Sequence, residues 1–361
     1  MNLIDPLSLS VNTTASAPPA RPVYPQRKLL QQSPEHPDDY ILELDYSSAS
    51  KIIDCARASE NYLIHSREHD SDRSATDFGK LFHSCEELRL HHGFTPEVRQ
   101  RQSEMIVEHF VMHPTRPGDH RTSQRMQQIL KTYEERYATD GWPGKVVQFE
   151  GAPFIERAFK IELCTLELDT TLPYDRALIV AQSELNDPTR AGNVYIRNLH
   201  VFITGRIDVV LHDNGLNWVV DHKTSSRGGE EFESAFFLSL QTRGYVWAAQ
   251  KLINQPVVGL IMNAVVILPP TQKVENNTKM DRPSYFYSAD SLVEYEDNMR
   301  AIVSDFVAQL QRGYFPQYAR SFKSPCAHCD YKMNCRLPRH QRPADLASAI
   351  FRDVTWNPVH E

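Results

Sequence analysis

From Ser47 onward the apolar residues fall into runs whose period shifts between helical and alternating, and each shift marks an element. Between Ser47 and Ile64 the residues Ile52, Ile53, Ala56, Tyr62 and Leu63 recur at helical spacing in a segment that carries Cys55. Asp77 is placed to cap a helix reaching Leu90, with Phe78, Leu81, Phe82, Cys85 and Leu88 as its apolar stripe. Two further helices are predicted over 97–112 and 121–138, separated by a Pro-, Gly- and charge-rich loop. Strand-like segments follow at 145–150, 153–168, 176–182, 199–211 and 216–223. An amphipathic helix from Phe232 to Leu252 ends at Gln255-Pro256, and Val257 to Leu268 is a nearly continuous apolar strand. A polar loop (269–284) and a long helix from Ala289 to Arg312 complete the regular pattern. Strands interleaved and flanked by helices predict an α/β sandwich with a mixed sheet.

One pair of strands carries more information than the rest. Thr204 to Thr224 reads TGRIDVVLHDNGLNWVVDHKT, and Asn214-Gly215 is a strong signal for a type I′ hairpin turn. With those two residues as the loop, Asp213 pairs with Leu216 and Asp208 falls opposite Asp221. Side chains so opposed have β-carbons roughly 4.5–5.5 Å apart, where like charges repel. Two facing carboxylates therefore call for a proton or a cation. Strand alternation puts Asp221 and Lys223 on one face and His222 on the other. Mg²⁺ or Mn²⁺ held by Asp208 and Asp221, with the His222 backbone carbonyl as a third ligand, would suit phosphodiester hydrolysis. Lys223 could then orient or deprotonate the water, or steady the charged transition state.

Composition narrows the setting without fixing the chemistry. A chain of 361 residues can bury a substantial core, and 41% hydrophobic with 24% charged residues is ordinary for a globular protein. The net charge of −7 gives no global sign of nucleic-acid binding, which leaves local basic patches to do that work. No apolar run is long enough to span a membrane and the start lacks a signal-peptide pattern, so a cytoplasmic protein is expected (host cytoplasm if viral). Residues 1–40 read as a flexible leader and 339–361 as a basic tail, around a single domain over 41–338.

Five short motifs in order along the chain resemble the PD-(D/E)XK nuclease superfamily, specifically its RecB-like exonuclease domain. Gly79-Lys80-Leu81-Phe82-His83, followed by Glu86, is similar to the G-x-x-x-H helix. Glu156-Arg157-Ala158-Phe159 resembles the E-x-x-F strand, Gly205-Arg206-Ile207-Asp208 the G-x-x-D strand, and Asp221-His222-Lys223-Thr224 the D-x-K-T strand. Gln241 and Tyr245, which share a helix face, match the Q-x-x-x-Y helix. The resemblance implies a restriction-endonuclease-like core with a helical insertion over about 96–140. It also implies that His83, Asp208 and Asp221 bind metal, that Lys223 assists the water, and that Gln241 and Tyr245 support the site and contact DNA.

Cys326, Cys329 and Cys335 lie close together near the end of the chain, a spacing that suggests metal ligation. Cys55 resembles the first cysteine of the iron–sulfur members of the RecB-like family, the CRISPR-associated and AddB-type nucleases. The resemblance implies that these four hold a 4Fe-4S cluster joining Cys55 to the 324–336 segment. Structural zinc, with His328 or His340 as fourth ligand, is the alternative. Cys85 and Cys164 read as ordinary buried thiols.

Basic residues interleaved with aromatics run from Arg312 to Lys332 (Tyr314, Phe315, Tyr318, Arg320, Phe322, Lys323 and Tyr331 among them), and Arg99, Arg101, Arg116, Arg121 and Arg125 dot the insertion. They are candidate phosphate and base contacts, although Phe315 and Tyr331 fit better as packing residues. The expected activity is a metal-dependent DNA exonuclease working on single-stranded or partly unwound ends in recombination, repair or processing, with a helicase or recombination partner. A non-catalytic DNA-binding or assembly subunit on the same fold is the alternative.

Overall fold

The computed structural model describes residues 28–71, 73–138, 144–180, 192–226, 229–271, 277–317, 326 and 329–354. The chain opens with β1 (Leu30–Gln32), β2 (Asp39–Leu44), α1 (Tyr46–Asp54), α2 (Ala56–Ser59), a π-helical turn and β3 (Arg67–His69). Three helices come next: α3 (Ser74–His92), α4 (Pro96–Met112) and α5 (Ser123–Tyr137). The strand-rich centre holds β4 (Lys145–Val146), β5 (Gln148–Phe149), β6 (Ala152–Pro153), β7 (Ile155–Asp175), the short α6 (Arg176–Ile179), β8 (Asn193–Asp213) and β9 (Leu216–Ser225). The last part comprises α7 (Glu230–Phe237), α8 (Leu240–Ile253), β10 (Val257–Ile267), β11 (Thr278–Asp281), β12 (Ser284–Phe286), α9 (Ala289–Arg312), α10 (Lys332–Arg336), α11 (Arg342–Leu346) and β13 (Phe351–Asp353).

The elements form a mixed sheet flanked by helices, in the order β1-β2-β8-β9-β10-β11, with β4 and β7 also on β8 and β12 on β10. β8 is the spine. β7 runs antiparallel along one edge of it, from Ile155↔Val209 to Asp175↔Asn193. The other edge is shared by two strands in succession. β2 lies parallel to residues 198–203 of β8, and β9 pairs antiparallel with residues 209–213. β10 then runs parallel to β9 through Ser225.

Helices α1, α8 and α9 cover one face of the sheet, contributing Tyr46, Ala49, Trp247, Tyr295, Met299 and Phe306 to the main core. Helices α3, α4 and α5 cover part of the other, where Phe78, Phe82, Ile106, Ile129 and Tyr133 pack with Val265, Ile267 and Met280. Several helices start on capping side chains, but α3 starts at Ser74, before the Asp77 expected to cap it, and no side chain caps it. The Ser239 and Ser288 hydroxyls accept from the Gln241 and Ser291 amides at the starts of α8 and α9. The hairpin turn is as predicted, with Asn214 (φ 48°) and Gly215 (φ 81°) both in the left-handed region.

Several sequence expectations shift. Residues 30–32 and 39–44, assigned wholly or partly to a flexible leader, form β1 and β2, and Arg197 with Asn198 secures β2 through the Asp39 carboxylate. Residues 1–27 of that leader lie outside the described residues. The strand expected over 176–182 begins as α6, because Asp175 caps the Ala177 amide. The polar loop 269–284 contains β11. The basic tail is folded as far as Val354, since β13 pairs with β3 and Arg67 ties the ends together. The Arg67 guanidinium donates to the Leu346, Ser348 and Phe351 carbonyls and to Asp353, and the Arg67 carbonyl accepts from Tyr331.

Gly244 lets α8 press against α1, since a β-carbon there would overlap the Tyr46 ring, which is itself packed edge-on against Tyr245. Gly244→Ala improves helix propensity by about 1 kcal/mol, but overpacking of this kind costs about 1–3 kcal/mol. Urea unfolding should therefore show a lower midpoint for the variant at unchanged slope.

Candidate active site

The β8–β9 ladder pairs Asp213 with Leu216 and runs back to Val209↔Val220. Asp208 and Asp221 are next in that register, but the pairing of backbones ends before them. Instead the Asp208 carboxylate accepts a hydrogen bond from the His222 amide at 2.6 Å, in the place of a strand carbonyl. Both aspartates are buried. Residues 204–208 of β8 therefore lie between β2, which has ended, and β9, which has not yet begun. The opening leaves room for side chains from both layers of helices.

From one side comes α3. A β-carbon on Gly79 would stand 2.9 Å from the Thr224 hydroxyl, so this glycine seats the helix closely on β9. One turn on, His83 reaches the acids, with Nδ1 3.5 Å from Asp208 and 3.8 Å from Glu156. Glu156 sits on β7 between Ile155↔Val209 and Arg157↔Ile207, which places it across from Asp208. Its backbone is in the left-handed region (φ 47°), a conformation that costs a bulky residue energy and recurs at functional sites. Candidate ligand atoms of His83, Glu156 and Asp208 all lie within 4.8 Å of one another, the one such group among the described residues.

The sequence places Glu156 in a motif but not among the ligands, and the structure puts it in the centre. Its contact with Asp208 depends on β7–β8 pairing across about fifty residues, which a hairpin register cannot reveal. Asp221 stands beside this group rather than within it. The Lys223 ammonium donates to Asp221 Oδ1 at 2.9 Å and lies 2.8 Å from Oδ2, yet Oδ2 is buried and accepts no directed hydrogen bond.

Burial and mutual charge set the protonation of this cluster. Burial raises the pKa of Asp208, and nearby Glu156 adds to that rise against the opposing charges of His83 and Lys223. Asp221 is likewise raised by burial and by Asp208, with Lys223 pulling the other way. Burial works against a charged Lys223, but Asp221 and Asp208 outweigh it and its pKa rises. Burial also opposes protonation of His83, yet the Asp208 and Glu156 carboxylates carry it up to about 9. Three carboxyl groups thus face His83 and Lys223, a donor set of the kind that binds metal ions.

From the other side of the sheet α8 supplies the remaining predicted residues. The Gln241 side-chain amide donates to the Tyr245 hydroxyl at 2.9 Å. Tyr245 is buried, and its pKa is raised well above the ordinary value by burial and then by Asp221 and Asp208, which places it beside the acids. Gly205 makes room for it, because a β-carbon there would press on Phe159 and Tyr245.

The four candidate cluster cysteines come from both ends of the element order. Cys55 separates α1 from α2 and packs with Cys329 against Ala58, Tyr331, Leu346 and Phe351. Burial raises the Cys329 pKa and the thiolates of Cys55 and Cys326 raise it further. Cys335 is pushed up to about 11 by burial, then by Cys329 and Cys55. Cys329 thus lies within electrostatic reach of Cys55 and Cys326, and Cys335 within reach of Cys329 and Cys55, although among the described residues no three cysteine sulfurs lie within 4.8 Å of one another. His328 lies outside the described residues and His340 is exposed. Cys85 is buried as expected, whereas Cys164 is half-buried at the margin of the core.

The candidate DNA contacts divide. Phe315 is buried against Phe306 and Tyr331 is buried and stacked on Phe351, so both are packing residues. Tyr314 is exposed, while Tyr318, Arg320, Phe322 and Lys323 lie outside the described residues. In the insertion, Arg99 pairs with Glu134, Arg101 with Glu104 and Glu108, and Arg121 with Asp119. Arg125 is buried and donates to the Leu268 carbonyl.

A mixed sheet with a His–Glu–Asp group and a neighbouring Asp–Lys pair where its central hairpin opens defines a restriction-endonuclease-like nuclease fold. The family model of the PD-(D/E)XK nuclease superfamily matches residues 46–336, and the chain belongs to that superfamily. Among solved structures, a protein described as a "Putative exonuclease" from Eubacterium rectale is 11% identical, with a TM-score of 0.42 over 85% of this chain and 93% of the other. SSO0001 is also 11% identical, with a TM-score of 0.28 over 81% and 86%. No curated protein matches the chain.

The crowding of carboxylates makes a direct test of the metal site. Glu156→Gln removes one charge beside Asp208, so the metal-free variant should melt at or above the wild-type temperature. It should also lose the Mn²⁺-induced stabilisation of the wild type, about 2.7 kcal/mol at a hundredfold excess over the dissociation constant. Thermal melts in EDTA and in Mn²⁺ measure both effects.

Proposed function

We propose that this chain is a Mg²⁺- or Mn²⁺-dependent deoxyribonuclease that removes nucleotides from DNA ends. The observation that supports it most is the convergence of His83, Glu156 and Asp208 within 4.8 Å, beside an Asp221–Lys223 pair. The donor set suits a hard divalent ion, since it is chiefly carboxylate oxygen. The buried Asp221 Oδ2, which accepts no directed hydrogen bond, is a ready further ligand, as is the His222 carbonyl. A bound ion supplies an activated water and neutralises charge on the phosphate.

The chain's own residues do the rest. Asp208 is held in one orientation by the His222 amide. Lys223, kept cationic by Asp221, orients the attacking water and steadies the negative charge that grows on the phosphorus oxygens. Gln241 fixes the Tyr245 hydroxyl at the edge of the acids, where it can meet a phosphate. Neither residue reads a base, so recognition rests on the DNA backbone and strand end, in a recombination, repair or processing role with a helicase or recombination partner.

The same reading includes a 4Fe-4S cluster on Cys55, Cys326, Cys329 and Cys335. The raised thiol pKa values of Cys329 and Cys335 are what a cation must overcome to bind, and four soft sulfur donors suit iron. A single zinc ion with Zn–S bonds of about 2.3 Å draws its sulfurs within about 3.8 Å. A cubane instead gives each thiolate its own iron and needs no such close approach of the sulfurs. The cluster would reinforce the Arg67 clamp between the two ends of the described chain.

End-labelled single- and double-stranded DNA should be shortened in Mg²⁺ or Mn²⁺ and left intact in EDTA, while covalently closed circles persist. Lys223→Ala should slow the reaction by about 10²–10³-fold. Digestion that persists in both EDTA and the variant would sink the assignment. Protein purified without oxygen should contain iron and acid-labile sulfide in equal amounts, and Cys335→Ser should lose both and melt earlier. Stoichiometric zinc in place of iron overturns the cluster.

A further inference from the structure

Behind the acids, on the face of β9 away from Asp221, lies a buried polar group that the nuclease reading does not use. His222 is paired across the parallel ladder with Asn263 of β10. The Asn263 side-chain nitrogen is 2.7 Å from His222 Nδ1 and 2.8 Å from the Tyr133 hydroxyl of α5. Arg282, between β11 and β12, approaches Asn263 Oδ1 through Nε (3.3 Å) and the Tyr133 hydroxyl through Nη2 (3.1 Å). Its guanidinium also lies 3.5 Å from the centre of the Tyr137 ring. Asn263, Tyr133 and His222 are almost wholly buried.

The hydrogen-bond directions in this group are fixed by one fact. A guanidinium only donates, so the oxygen of Asn263 must face Arg282 and the nitrogen must face the other two partners. Asn263 therefore donates to His222 Nδ1, and this ring nitrogen carries no proton. The imidazole is neutral and anchored, and it belongs to the residue whose amide holds Asp208 at 2.6 Å. Phe82, the residue before His83, lies edge-on to both His222 (6.1 Å) and Tyr133 (5.8 Å). The same anchor thus touches the elements that carry His83, Asp208 and Asp221.

We propose that Asn263 and Tyr133 are positioning residues for the metal site, acting through His222, so that the helical insertion sets the geometry of the ligands. The use made of the site rests on the nuclease reading; the wiring itself is read from metal binding without DNA. In Asn263→Asp the side chain still accepts from Arg282 but can no longer donate to His222 Nδ1. Removal of such outer partners typically weakens metal affinity or activity by about 10–100-fold.

Titrating Mn²⁺ into the DNA-free protein, with free Mn²⁺ followed by electron paramagnetic resonance, should show that loss for Asn263→Asp and a smaller one for Tyr133→Phe. Imidazole ¹⁵N shifts of the metal-free protein should place the His222 proton on Nε2 in the wild type and on Nδ1 in Asn263→Asp. With saturating Mn²⁺, the KM for DNA should hold while the Mn²⁺ requirement rises. Tyr133→Phe removes one oxygen and keeps the ring, so it serves if Asn263→Asp does not fold. Wild-type Mn²⁺ affinity in a folded variant, or a protonated Nδ1 in the wild type, overturns the proposal. Weakened Mn²⁺ binding in a protein that cuts no DNA supports it and removes the nuclease reading instead.

Discussion

Like charges held at close range are the constraint on which this architecture turns. Glu156, Asp208 and Asp221 come from three strands that meet at one place on the sheet, and each is brought there by pairing farther along. In water such carboxylates would spread apart. Here the Val209↔Val220 ladder, the β7–β8 pairing and the close seat of α3 on Thr224 hold them together. His83 and Lys223 offset part of the repulsion. The fold therefore stores electrostatic stress where it is chemically useful, which is the usual relation between stability and function in an active site.

The same elements show what a sequence can disclose. The Asp208–Asp221 juxtaposition was legible because an Asn-Gly turn sets the register by counting, and the ladder keeps that count through five pairs. Helices α4, α5 and α9 were legible from apolar period, whereas the single helix expected over Phe232–Leu252 is divided into α7 and α8, with Ser239 capping the second. Glu156 was not, because its partner on β8 is remote in sequence and its left-handed backbone leaves no mark on composition. β1 and β2 were hidden in a Pro- and Ser-rich context. Their place is set by a parallel pairing with β8 and by Arg197 on Asp39, both long-range. α6 displaced an expected strand because one capping aspartate outweighed a short apolar run.

Aromatic and basic residues taught a related lesson. Interleaving along the chain suggested a binding strip, but Phe315 and Tyr331 turn inward and most of the insertion arginines answer nearby acceptors. Arg101 is answered by Glu104 and Glu108 of its own helix, Arg99 by Glu134 of α5 and Arg125 by the Leu268 carbonyl. What the insertion contributes is interior: Tyr133 reaches the sheet, and Arg282 closes over it.

The clamp of Arg67 on β13 has a consequence in time. Every residue of the acid cluster, with Lys223 and Tyr245, has left the ribosome long before Phe351, and synthesis proceeds at about 5–20 residues per second. The sheet and its site can assemble while the strand that closes on β3 does not yet exist. Among the described residues the last strand, β13, docks beside one of the first, β3, so closure of that pair comes after the strands of the acid cluster have been made.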